Sequence, residues 1–360
     1  MGCCRLTYNR SLEYIKKGKA QSKSFYWLRN RFVNKINVPS HLKFLLDCPK
    51  HVREGAIKDL SQAYFTNFAK RKKNPNHTFD IRFRRRKDTQ SIVIPKDAFK
   101  AKEDGIVMYP SMFSDQPILP TYLRPTSDCR LTLDSLGHFV LHVPFDVPTY
   151  SLSDNQAQRM CSVDPGVRTF LTTWSPLEEA FKLGDGDATR LYVLLLKIDG
   201  LQSCMAKAKA RSKWRKNRAL CRLRQRYQNL QKDMHYQCAS FLVNRYSTIV
   251  IPKFGSKRMS SKMDRKLRTQ TVRSMLGLGH YKFRQRLKEV AERRGVVVVE
   301  CTEEYTSKTC SSCGWIHPNL GGKKTYQCLS CGLKVDRDLQ GAFNIFLKHA
   351  SAHAEIFLGV

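Results

Sequence analysis

Apolar side chains recur at helical spacing in the first part of the chain. In EGAIKDLSQAYFTNFAKRKK, residues Ile57, Leu60, Ala63, Tyr64, Phe65 and Phe68 repeat near a 3.6 period, while Lys58 and Gln62 share a different face. Residues 1–75 read as mainly helical, with Phe65 and Phe68 as core positions. RKKNPNHTFDIRFRRRK then places Pro75 between two asparagines ahead of a basic run, which predicts a turn into a strand. From about 90 to 157 the runs shorten. QSIVIP, GIVMYP, CRLTLD and HFVLHVPFDV, separated by Pro and Gly, predict a small barrel or open sheet.

MCSVDPGVRTFLTTWS follows as an apolar, strand-like run with one acid, Asp164. Residues 186–245 read as helical with a break at Asp199-Gly200, and Thr248–Ile251 as a strand. A basic linker then runs to about 272. Helix KFRQRLKEVAERRG ends at Gly295, a suitable C-cap. It leads into Val296–Val299, whose unbroken β-branched run predicts a buried strand beside Thr248–Ile251. Strands alternating with helices point to an α/β domain with parallel pairs.

Charge narrows the partners. The 360 residues carry 64 Lys plus Arg against 30 Asp plus Glu, a net charge of +34. Such an excess repels itself unless a polyanion shares its surface, and neutralising phosphates releases condensed counterions. Nucleic acid is therefore the expected partner. A membrane has little support: no apolar run approaches spanning length. MGCCRL also has Leu6 where a myristoylation signal wants Ser or Thr. No secretory signal is visible. Hydrophobic residues make up 41% of the chain, enough to build cores.

Four of the thirteen cysteines fall within residues 310–331, as Cys310-x-x-Cys313 and Cys328-x-x-Cys331. Two residues between cysteines let both thiolates face one ion, and two such pairs complete a closed tetrahedral site. The spacing predicts structural Zn2+ in a zinc ribbon, in preference to a redox motif or two unrelated thiol pairs.

Acids are scarce enough to be informative. From residue 205 onward there are ten, and five of them, Glu300, Glu303, Glu304, Asp336 and Asp338, bracket the cysteine pairs. Clustered carboxylates suit Mg2+, which prefers hard oxygen ligands. The same residues also have bland uses: Asp164 before Pro-Gly as a turn former, Asp336 or Asp338 as a helix cap, and the glutamates as solvated charges.

DPGVRTF (164–170), YTSKTCSSCG (305–314) and DRDLQGAFNI (336–345) resemble the TnpB superfamily of RNA-guided nucleases. That superfamily includes transposon-encoded TnpB, eukaryotic Fanzor proteins and type V CRISPR effectors. CRLTYN, AIKDLSQAYFTNF and the basic helix leading to DMHYQCASFLV extend the resemblance over nearly the whole chain. The family usually places a β-strand ahead of its CR-x-x-YN segment, and this chain begins just before that segment.

The resemblance implies a mixed α and β, multidomain fold: a helical recognition lobe (1–88), a wedge-like β-barrel (89–157) and a RuvC-like, RNase H-like core (158–305). An inserted zinc ribbon (306–334) and a last RuvC segment (335–360) complete it. It further implies an RNA-guided, Mg2+-dependent DNA endonuclease, with Asp164 as the first catalytic acid and Asp338 as the last. After that last acid the family usually has Asn-Ala-Ala, where this chain has Gln340-Gly341-Ala342. The family's middle Glu ends the strand that here reads TIVIPKF, and Pro252 stands in its place. Fanzor proteins move this Glu to just before the TS-K-x-C segment. Glu303 is therefore assigned as the middle acid, with Glu304 second and Glu300 third. The resemblance implies that Asp164, Glu303 and Asp338 hold Mg2+, as two ions. The alternatives are a catalytically inert RNA-guided DNA-binding protein and a zinc-ribbon transposon accessory protein.

Between Cys204 and Lys232 the chain has eleven Lys or Arg and no acid. Solvated helices usually interleave signs, so Lys207, Lys209, Arg211, Lys213, Arg215, Lys216 and Arg218 are assigned to phosphate contact. Arg82, Arg84 and Arg85 in RFRRRK, and KRMSSKMDRKLR (257–268), are candidates for guide RNA binding or nuclear localisation. Lys58 and Gln62 match positions that read the target-adjacent motif in TnpB. Tyr8 and Asn9 read as structural. The expected partners are a guide RNA and double-stranded DNA, with one protein copy on each guide and no small-molecule substrate. The location would be the nucleus of a eukaryote, or the cytoplasm or nucleoid of a prokaryote.

Overall fold

A computed structural model describes residues 1–112, 118–150, 159–255, 260 and 268–352. The chain divides into two compact units, residues 1–146 and 147–360, each with its own core. The fold is mixed α and β.

In the first unit, helices α1 (Gly2–Lys16), α2 (Phe25–Phe32) and α3 (Lys50–Lys73) bury Leu12, Leu28, Ala56, Ile57 and Leu60 together. Ser24 starts α2 by accepting from the Trp27 amide. The strand expected after Pro75 is absent. Residues 79–84 are instead held by side chains: Ile81 enters the helical core, and Phe79 packs edge-on against Phe68. The Asn9 amide meets both the N–H and the C=O of Arg84. These contacts satisfy the backbone that a sheet ladder would otherwise serve.

Strands β1 (Gln90–Ile94), β4 (Cys129–Leu133) and β5 (Phe139–His142) form an antiparallel sheet in the order β1-β4-β5. Strands β2 (Phe99–Lys102) and β3 (Gly105–Met108) form a separate ribbon. Among the described residues these strands do not close into the expected barrel. Phe65 also departs from expectation. Its ring is 55% exposed, because Tyr64 and Phe68 take the core-facing positions around it.

The second unit is built on a five-stranded sheet. Its strands are β6 (Met160–Pro165), β7 (Leu171–Trp174), β8 (Phe181–Leu183), β9 (Thr248–Pro252) and β10 (Val297–Cys301), in the order β10-β9-β6-β7-β8. The β10-β9 and β9-β6 pairs are parallel and the others antiparallel. Val297 pairs with Thr248, as the two apolar runs suggested. However, β10 is an edge strand, so Val297 is 56% exposed, and it is Val296, just before the strand, that is buried.

Helices α4 (Asp187–Ala206), α5 (Ala210–Arg245), α6 (Thr269–Leu278) and α7 (His280–Arg293) follow. The break lies at residues 207–209. Asp199-Gly200 is inside α4, whose buried stripe of Leu191, Leu194, Leu195 and Ile198 carries the helix past it. Among the described residues no helix is long and apolar enough to cross a membrane.

Strand alternation sorts the residues of β6. Cys161 and Val163 enter the core shared with α5 and α7, including Leu242, Phe283 and Leu287. Ser162 and Asp164 take the other face, against α8 (Arg337–Ala352). There Ser162 donates to the Ala342 carbonyl at 2.7 Å, and Trp174 packs on Phe343 and Phe346. Hairpin β11 (Thr325–Gln327) and β12 (Lys334–Asp336) runs directly into α8.

Candidate active site and metal centre

Asp164 comes near the end of β6, on the face covered by α8. Asp338 lies in the first turn of α8, one helical turn before Gly341. A Cβ at Gly341 would stand 2.6 Å from Oδ2 of Asp164, so the missing side chain is what lets this carboxylate lie against the helix. The two acids of Asp336-Arg337-Asp338 have separate duties. Oδ1 of Asp336 accepts from the amides of Asp338 and Leu339, capping α8, and its other oxygen pairs with Lys182 at 2.6 Å. Asp338 acts on Asp164.

Burial, then the charges of Asp338 and Glu303, push the Asp164 carboxyl up to about 8, with Arg337 opposing. Burial also raises Glu303 above the usual carboxylate range. The other two glutamates stand differently. Glu300 is enclosed by Arg284 at 2.8 Å, Lys288 at 2.9 Å and Lys253 at 3.5 Å, and these cations hold its carboxyl down. It is the centre of an ion-pair network. Glu304 is exposed, and its carbonyl accepts from Lys348. Pro252 ends β9 opposite Cys301, so no acid projects from the position where TnpB has one.

The raised Asp164 carboxyl has a consequence for stability. An unfolded aspartate titrates near ~3.9. Between that value and about 8, the folded chain holds a proton that the unfolded chain has lost. In EDTA, the Asp164 contribution to stability should therefore fall as pH rises across this window and level off above it. Asp164→Asn should flatten that part of the pH profile and raise Tm at pH 8, as read by thermal unfolding from pH 5 to 9. An unchanged profile would show that Asp164 is ionised throughout.

Sequence reading missed the groups that hold the Glu303 segment. Gln340 and Asn344, four apart on α8 and both buried, donate to the Thr309 carbonyl at 2.6 and 2.7 Å, and Asn344 also donates to the Thr306 carbonyl. Thr306 Oγ1 in turn donates to the Glu303 carbonyl at 2.9 Å. Two polar residues on an otherwise apolar helix face were the available signal.

The four cysteines form two matching knuckles. The Cys310 amide donates to the Trp315 carbonyl and the Cys328 amide to the Leu333 carbonyl, each at 2.8 Å, with Gly314 and Gly332 at positive φ closing the turns. Cys310 and Cys331, and likewise Cys313 and Cys328, bring their sulfurs to 3.6 Å. A tetrahedral ion with bonds of about 2.3 Å needs a sulfur separation of about 3.8 Å, so the geometry fits Zn2+ and a zinc ribbon. Among the described residues this is the group whose ligand atoms all lie within 4.8 Å of one another. The three carboxylates stand further apart, yet they offer hard oxygens, and the charge pressing on Asp164 is one that a divalent cation would relieve.

The proposed nucleic-acid contacts fall into three groups. Lys58 and Gln62 are exposed on α3. Arg82 and Arg85 are exposed, but Arg84 is engaged within its own unit, pairing with Asp59 at 2.7 Å and lying 4.0 Å from the Tyr8 ring centroid. Lys207, Lys209, Arg211, Lys213, Arg215 and Arg218 are exposed, whereas Lys216 is partly covered and reaches the Cys204 carbonyl. Trp214 is 59% exposed within this stretch, beneath Arg218. Residues 257–268 lie outside the described residues, save Ser260 and Arg268.

Comparison with known proteins adds family evidence. Residues 280–345 match the Cas12f1-like TNB domain. A TnpB-like protein of Acanthamoeba polyphaga mimivirus is 32% identical over 359 residues, covering 94% of this chain and 67% of its own length. InsQ of Escherichia coli, whose name carries the words RNA-guided DNA endonuclease, is 23% identical over 393 residues, 99% of this chain and 89% of that protein. Among solved structures, Cas12f1 in a complex with sgRNA and target DNA aligns with 95% of this chain and 80% of its own, at a TM-score of 0.52 and 15% identity, a likeness of fold. With that identity spread across nearly its whole length, the chain belongs to the TnpB superfamily.

Proposed function

We propose that this chain is an RNA-guided, Mg2+-dependent DNA endonuclease acting through one RuvC-like site. The observation that supports this reading is that buried Asp164 lies against the first turns of α8, the helix that carries Asp338, with the charges of Asp338 and Glu303 opposing its ionisation. The three acids come from distant parts of a strongly basic sequence. Held by these three carboxylates, Mg2+ would supply Lewis acidity toward the scissile phosphate and make an attacking water more acidic. The acids would hold the ion, Asp164 losing its proton to solvent as the ion binds. Gln340 and Asn344 fix the segment that carries Glu303.

The cations from Lys207 to Arg218 would hold the phosphates of a guide–target heteroduplex without reading its sequence. Lys58 and Gln62 would face the short motif beside the target. Zn2+ on Cys310, Cys313, Cys328 and Cys331 would be structural, since four protein ligands leave no open position. The inert alternative rests on Pro252, and the charge of Glu303 acting on Asp164 favours the enzyme. The test is cleavage of guide-complementary plasmid by the protein purified with its RNA. Cutting is expected in Mg2+ and should be absent in EDTA and in Asp338→Ala. Plasmid left intact by the wild type in Mg2+ would refute the reading.

A further inference from the structure

Tyr305 has φ +66°, a left-handed conformation that residues with a Cβ seldom adopt. Its carbonyl is held firmly, accepting from the amides of Lys308 at 2.9 Å and Thr309 at 3.0 Å and from Thr309 Oγ1 at 2.9 Å. Among the described residues no ring or cation contact holds its side chain. The side chain is 65% exposed and belongs to neither the sheet core nor the ribbon core. A large aromatic is thus kept outward, in a strained turn, two residues from Glu303. Strained residues of this kind are held by their surroundings and cluster at functional sites.

Tyr305 borders an open pocket of about 370 Å³, which Leu347 and Lys348 of α8 also line together with Glu304, Ser311 and Asn344. Leu347 is itself exposed. The pocket therefore combines an aromatic residue and an aliphatic one with a lysine, and Glu304 in its lining is next in the chain to Glu303. Unpaired bases stack on such aromatic faces whatever their sequence, because every base has a π face.

We propose that Tyr305 is a stacking platform for an unpaired nucleobase of the DNA strand being cut, positioning that strand beside Asp164, Glu303 and Asp338. The proposal rests on the nuclease reading above. Tyr305→Gly removes the ring and relieves the backbone, so it separates stacking from folding; Tyr305→Phe keeps the ring. With the full chain and its guide RNA, Tyr305→Gly should raise KM for guide-complementary DNA by about ten-fold. Its Tm should be equal to or above that of the wild type, and Tyr305→Phe should stay within about two-fold of wild-type KM.

A single-stranded oligodeoxynucleotide containing 2-aminopurine, bound in EDTA, should be quenched by the wild type and by Tyr305→Phe but not by Tyr305→Gly. Equal KM and equal quenching in Tyr305→Gly would overturn the proposal, as would a loss in Tyr305→Phe as large as in Tyr305→Gly. If the wild type cuts no DNA, the nuclease reading fails, and the fluorescence comparison still decides the stacking.

Discussion

Glu303→Gln should lower Mg2+-dependent cleavage by about a thousand-fold, some 4 kcal/mol in the barrier, while leaving RNA binding and Tm near wild type. The change is nearly isosteric and removes only the charge that acts on Asp164. Its neighbours provide contrasting controls. Glu304→Gln should cut within a few-fold of wild type, because that side chain is exposed and does not contribute to the Asp164 shift. Glu300→Gln should cost stability, by about 1 kcal/mol for a partly exposed network, since it leaves Arg284, Lys288 and Lys253 without their shared partner. Cleavage rates and thermal unfolding of the three variants check the assignment. Full activity in Glu303→Gln would sink it.

Removing zinc should unfold the ribbon and leave the five-stranded sheet standing. The ribbon's hydrophobic core is Cys310, Leu320, Tyr326 and Cys328, with Trp315, Leu333 and Val335 packed beside them. So small a core cannot support a fold without metal. Chelation, or Cys328→Ser, should bring amide exchange across 306–334 close to the unfolded rate while protection persists in β6 and β9. Cleavage should fall as well, because the Thr306 and Thr309 carbonyls that anchor the Glu303 segment to Gln340 and Asn344 adjoin the first knuckle. A ribbon that stays protected without metal would contradict the structural role.

The cysteine pairs, the strand carrying Asp164 and the pairing of Val297 with Thr248 were legible in sequence, because each depends on local spacing or an apolar run. Other features were settled by tertiary context. Nothing in VVVVE reveals that β10 lies at a sheet edge, nor that Glu300 meets three cations from elsewhere in the chain. The helix break moved to 207–209 because burial of Ile198 and its neighbours outweighed the propensity of Asp199-Gly200. Arg84 sits in a basic run that looks uniformly solvated, yet Asp59 and Tyr8 hold it. The roles of Gly341, Gln340 and Asn344 depend on which residues α8 covers, which spacing alone does not tell.

The central claim is that a bound RNA selects the DNA and the carboxylate cluster cuts it. Its most direct test is to sequence the RNA that copurifies with the chain, replace its guide segment, and map cutting on a plasmid carrying both the old and the new complements. In Mg2+, the account predicts that cutting moves to the new complement and disappears in Asp164→Ala. Cutting that stays at the old site, or cutting of neither site, would contradict it.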